Sequence, residues 1–183
     1  MRGVVIYESM FGNTRRIAQA IGDGLASALE VRLIRADQAT GSDLDGISLV
    51  VVGAPTHAWG LPSAKNRQGA LSSVRRPGSD LVLEPDADSL PGVREWLNSL
   101  GDAGTLGAVF DTRFSAPVIF TGHASKSIAR SMLRHGIDVV LPPESFLVDR
   151  KNHLVPGEVE RARVWALDVG AEVTSRTRLS WPS

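Results

Sequence analysis

Apolar residues in this chain fall into short unbroken runs, and between the runs they recur every three or four positions. Val4 to Tyr7, Leu49 to Val52 and Leu106 to Phe110 are unbroken runs bounded by turn-forming residues. That is the pattern of strands buried on both faces of a parallel sheet. Val31 to Ile34 alternates and predicts a further strand nearer an edge. The last strand is expected at Val139 to Leu141, broken by Pro142 and Pro143 and resumed from Ser145 to Val148. Proline donates nothing to a ladder, so the break predicts a bulge or an edge position.

Helical spacing fills the intervals. Ile17, Ala18, Ile21, Leu25 and Ala28 share one face and predict a helix from about Thr14 to Leu29. Val93, Trp96, Leu97 and Leu100 mark a shorter helix, which Pro91 could open and Gly101 could close. Ile128, Ala129, Met132 and Leu133 form a stripe ending at Gly136, and Val159, Ala162, Ala166 and Val169 form the final one. Strand and helix alternate, with crossovers long enough to be right-handed, which predicts an open doubly wound parallel sheet. Two stretches break the rhythm. Residues 61–90, with Pro62, Pro77, Gly78 and Pro85, read as one long connection, functional or mobile. Residues 175–183 read as a tail without pattern, expected to be disordered, leaving one domain over residues 1–174.

Composition narrows the function classes. A length of 183 residues suits a single core of ordinary size. The formal net charge is zero, so no bulk field favours nucleic acid or an anionic membrane. With no cysteine, disulfides, thiolate metal sites and cysteine nucleophiles are excluded. No run approaches the ~18 consecutive apolar residues of a membrane span, so a cytoplasmic location is expected. His57, His123, His135 and His153 show no metal-ligand spacing. The chain has no G-x-S-x-G, no G-x-G-x-x-G and no G-x-x-x-x-G-K-[ST], which disfavours serine hydrolysis, a Rossmann dinucleotide site and a P-loop.

Ligands of open parallel sheets bind beyond the C-terminal strand ends, at the switch point in strand order. Three segments are expected there. Ser9 to Thr14 joins the first strand to the first helix, gathering hydroxyls, a glycine and free backbone N–H groups at a helix N-terminus, a ready phosphate site. Arg15 and Arg16 follow in the first turn, the wrong end for cations. Either a bound anion removes that conflict or the two arginines point into water. The other segments are Ala54 to Gly60 after the third strand and Asp111 to Phe114 after the fourth. In a sheet ordered 2-1-3-4-5 all three converge on one crevice.

Ser9-Met10-Phe11-Gly12-Asn13-Thr14, with a strand before it and a helix after, resembles the phosphate loop of the flavodoxin family. It is nearest the serine-x-aromatic-glycine-asparagine/histidine-threonine form of the flavodoxin-like quinone reductases. Gly53 to Gly60 resembles the family's second flavin loop. Phe110 to Arg113, Thr121 to Lys126, and Pro142 to Phe146 followed by Gly157-Glu158, resemble a bacterial branch of the same family. The resemblance implies a flavodoxin-like three-layer α/β/α sandwich on a five-stranded parallel sheet, with FMN as cofactor. It implies that the Ser9 and Thr14 hydroxyls and the N–H groups of Met10, Phe11, Gly12, Asn13 and Thr14 hold the phosphate. Trp59 would cover one ring face. Thr56 and the backbone of Ala58, Trp59 and Gly60 would meet the pyrimidine edge and N5, with Pro55 and His57 in the same loop. Asp111, Thr112, Arg113 and Phe114 would form the far wall.

This sequence departs from the pattern in two ways. Its one tyrosine is Tyr7, so the third loop has none; either Phe114 substitutes or that flavin face is open. It is neutral where electron-carrying flavodoxins are strongly acidic, and Lys65, Arg67 and Arg113 fall in or near the site, where cations would favour reduced anionic flavin. Three function classes follow. They are an FMN electron carrier docking to a redox partner protein, an FMN-dependent NAD(P)H:quinone-type reductase using a small-molecule acceptor, and a module that keeps the fold without the cofactor.

Overall fold

The computed structural model describes residues 1–57, 60–75, 79–116 and 122–179. Strands β1 (Arg2–Tyr7), β2 (Glu30–Arg35), β3 (Leu49–Pro55) and β4 (Leu106–Phe114) form a parallel sheet in the order β2-β1-β3-β4. The fifth position is shared by two short pieces, β5 (Asp138–Val139) and β6 (Glu144–Val148), both parallel to β4. The expected order 2-1-3-4-5 is therefore observed. The proline break falls where an edge strand can tolerate missing donors: β5 pairs the start of β4 and β6 its end.

Helices cover both faces. On one side lie α1 (Asn13–Leu25) and α5 (Glu158–Leu179), and on the other α3 (Val93–Ser99) and α4 (Ala124–Arg134). Strand alternation divides the core accordingly. Val5, Val51 and Phe110 pack with Ile17, Ile21, Phe146 and Trp165. Val4, Ile6, Val50, Val52 and Val109 pack with Trp96, Leu97, Ile128 and Met132. Gly24 and Gly170 let α1 and α5 meet closely: a Cβ on Gly24 would lie 2.6 Å from the Arg163 carbonyl oxygen, and one on Gly170 3.3 Å from the Ala28 Cβ.

Three expectations are corrected. The long connection contains a helix, α2 (Ala64–Val74), whose apolar residues have no periodic stripe and so left no pattern to read. Strand β4 continues through Phe114, so Asp111 to Phe114 form its end rather than a loop beyond it. Helix α5 continues through Leu179, well past the expected start of the tail at 175, because Arg176 bridges to Glu172 and Asp138 and the Thr177 hydroxyl bonds back to the Val173 carbonyl.

Candidate functional site

The first-turn N–H groups of a helix have no intrahelical acceptor. In α1 the first helical bond runs from Arg16 N to the Gly12 carbonyl, 3.0 Å, which leaves Asn13, Thr14 and Arg15 ahead of the ladder. Among the described residues no side chain caps this end. Gly12 enters the helix at φ 86°, a left-handed conformation that glycine adopts without a Cβ penalty. Its N–H donates to Ser9 Oγ at 3.1 Å, which fixes the loop's curvature. The next two side chains are buried and anchored to other segments. Asn13 Nδ2 donates to the Asn152 carbonyl at 2.7 Å, and Thr14 Oγ1 lies 2.7 Å from Thr112 Oγ1 in a buried hydroxyl pair. Thr14 and Thr112, from two of the three predicted segments, are thus brought into contact.

Arg15 finds an anion within the protein. Its Nε lies 2.6 Å from Glu84 Oε1, and Glu84 N donates to the Met10 carbonyl at 2.8 Å. Glu84 belongs to the long connection, where nothing in the residue pattern marked it. Behind the loop, Glu8 is buried and accepts from Val93 N at 3.0 Å and from Arg67 Nη1 at 3.4 Å. Arg67 Nη2 also meets Glu95 Oε1 at 2.9 Å. Burial, the largest influence, pushes the Glu8 carboxyl above its ordinary value against the pull of Arg67 and Val93 N–H. The expectation that Arg67 offers a cation to the site is therefore corrected: it is buried and shared between two carboxylates. Lys65 is exposed on α2, and Arg113 donates to the Phe114 and Ala116 carbonyls.

The second segment leaves β3 at Pro55. Thr56 N donates to the Thr112 carbonyl at 2.8 Å, and Thr56 Oγ1 accepts from Ala124 N at 2.9 Å, tying this loop to the start of α4. His57 and Gly60 exchange two backbone bonds of 2.9 Å. Ala58 and Trp59 lie outside the described residues, as does Thr121. Burial lowers the His57 pKa from its ordinary 6.5, so the imidazole is neutral at pH 7. In β4 the side chains alternate. Thr112 turns to α1, whereas Asp111 is fully buried under α4 and accepts from Ser125 N at 2.9 Å. The second Asp111 oxygen has no partner among the described residues. His123 Nδ1 stands 3.1 Å from Ser145 Oγ and 3.9 Å from Asp111 Oδ2. Phe114, half exposed, ends the strand.

A doubly wound sheet with a helix N-terminus at its switch point is the α/β arrangement in which ligands bind beyond the strand ends. The flavodoxin family model matches residues 5–107, more than half of the chain, and the chain belongs to the flavodoxin family. Solved structures agree on the fold. A flavodoxin from the domain Archaea is 20% identical with a TM-score of 0.64, covering 95% of this chain and 99% of its own. Oxidised flavodoxin 1 from Bacillus cereus is 22% identical with a TM-score of 0.62, covering 96% and 98%. A WrbA-like flavodoxin from Agrobacterium tumefaciens is 18% identical with a TM-score of 0.58, covering 95% and 98%. No curated protein matches the sequence.

Family membership carries FMN as the cofactor, and the residues present fit it. The α1 N-terminus has donors ahead of its ladder and, among the described residues, no side-chain cap, and the left-handed entry at Gly12 adds no Cβ there. Among the described residues no helix is long and apolar enough to cross a membrane, and no cluster of ligating side chains could hold a metal ion.

Proposed function

We propose that this chain is an FMN-dependent electron carrier that exchanges electrons with a redox partner protein. The uncapped α1 N-terminus joined to β4 through Thr14 and Thr112 is the observation that carries the reading. Ser9, Gly12, Asn13 and Thr14, with the N–H groups of Met10 and Phe11, would surround the phosphate. Pro55 to Gly60, Trp59 included, would line one side of the ring, with Thr112 and Phe114 on the other. When bound, FMN supplies the electron chemistry, and the protein positions it and sets its surroundings.

Carrier is favoured over reductase by the charges near the crevice. Arg67 is matched by Glu8 and Glu95, and Asp111 adds a buried acid, so these groups do not favour an extra negative charge on the cofactor. The purified protein should show visible flavin absorbance after addition of FMN and gel filtration. It should then accept electrons from a separate flavodoxin reductase while failing to oxidise NAD(P)H with a quinone on its own. Steady quinone reduction without any added reductase would transfer the assignment to the enzyme class, and no retained flavin would remove both.

A further inference from the structure

Helix α5 presents a face that the rest of the described residues leave uncovered, and its charges say what covers it. Val164, Leu167 and Leu179 are 51%, 50% and 84% exposed, with Asp168, Ala171, Ser175 and Arg178 exposed on the same side. Leu167, Ala171, Ser175 and Leu179 follow a four-residue ridge, small in the middle and large at both ends. Beside the ridge runs a groove of about 590 Å³, lined by Leu167, Gly170, Thr174 and Leu179 and walled on the far side by Ser27 and Ala28.

Six of the eight charged groups of α5 form ion pairs: Glu158 with Arg161, Glu160 with Arg163, and Glu172 with Arg176. The other two, Asp168 and Arg178, have no ion pair among the described residues, and both lie on the uncovered face. They are ten residues apart, roughly 15 Å along the axis, too far to reach each other. They are opposite in sign. An antiparallel copy of α5, turned about a two-fold axis near Val173, sets the acid of each helix level with the base of the other. The same operation places Leu167 opposite Leu179 and Ala171 opposite Ser175, twice over, so the small residues meet at the centre. We infer that this face is the contact of a homodimer, with the partner's Leu179 seated in the groove beside Leu167. A two-fold contact must be self-complementary in this way. The groove lies at the C-terminal end of α1, about 20 Å from the phosphate loop at its other end, so both crevices remain open. The inference does not depend on flavin.

Sedimentation equilibrium of the full chain tests it. A reversible monomer–dimer equilibrium is expected. Leu179→Asp should abolish it, and Asp168→Arg or Arg178→Asp alone should raise the dimer dissociation constant by about ten-fold or more. The double variant Asp168→Arg/Arg178→Asp should restore association, with far-UV circular dichroism unchanged in all four. A concentration-independent monomer would overturn the proposal, as would a dimer indifferent to both charge reversals. It would equally fail if the protein were monomeric and Leu167→Glu lowered its thermal midpoint, because the chain's own last residues would then be covering the face.

Discussion

The hydroxyl of Thr14 is buried and already engaged with Thr112, so its geometry is fixed before any ligand arrives. Thr14→Val keeps the shape and removes only the hydroxyl. It should weaken FMN binding by about 1.5–3 kcal/mol, the range for a hydrogen bond to a charged group. Fluorescence titration checks this, and an unchanged dissociation constant would remove Thr14 from the phosphate site. Glu8 makes a prediction in pH. Its folded pKa is raised above the reference 4.5 by burial, so the folded protein holds its proton to higher pH than the unfolded chain does. The group's contribution is therefore fully present below 4.5 and is lost as pH rises through the folded value. Glu8→Gln lacks that dependence. The stability difference, wild type minus variant, should be most favourable to the wild type in acid and shrink toward neutral pH. Thermal midpoints across that range decide it, and a difference growing with pH would contradict the assigned burial effect.

Two glycines in helices should respond in opposite directions. Alanine favours a helix interior by up to about 1 kcal/mol over glycine. At Gly69 in α2 nothing among the described residues lies within 4 Å of an added Cβ, so Gly69→Ala should stabilise by that amount. At Gly24 the added Cβ meets the Arg163 carbonyl oxygen at 2.6 Å and Ala166 Cβ at 2.7 Å. Those atoms belong to a packed helix, and overpacking costs about 1–3 kcal/mol, enough to outweigh the propensity gain. Gly24→Ala should therefore lower the denaturant midpoint while Gly69→Ala raises it. Position in the fold, not residue type, sets the sign, and the same distinction explains what was legible in the sequence. Elements with one buried stripe, such as α1 and α4, or buried on both faces, such as β1 and β3, carry their pattern in local spacing. Helix α2 carries none, and its buried Arg67 reaches Glu8 and Glu95, partners 59 and 28 positions away. Ser9 to Thr14 was legible because a strand, a glycine and a helix start are adjacent along the chain. Glu84, Asn152 and the turn of Asp111 toward α4 depend on contacts between distant segments, which no local spacing encodes.

Taken over the whole molecule, the Ser9 to Thr14 loop is braced by one internal bond and by three distant parts of the chain. Gly12 rests on Ser9, Asn13 on Asn152 beyond β6, Thr14 on Thr112 in β4, and Arg15 on Glu84 in the long connection. A ligand gripping that loop therefore bears on the entire fold rather than on one helix end. Binding to the folded state alone stabilises by RT ln(1 + [L]/Kd), about 2.7 kcal/mol at a hundred-fold excess over Kd. FMN should thus raise the thermal midpoint in a concentration-dependent way. Riboflavin has the same ring and ribityl chain without the phosphate, so it forgoes the donors at the α1 N-terminus. Its effect at equal concentration should be much smaller, and Thr14→Val should narrow the gap between the two ligands by weakening FMN alone. Differential scanning calorimetry with each ligand measures that gap directly. Equal shifts for FMN and riboflavin would mean that the ring loops hold the cofactor unaided, and that the α1 N-terminus is only a structural turn.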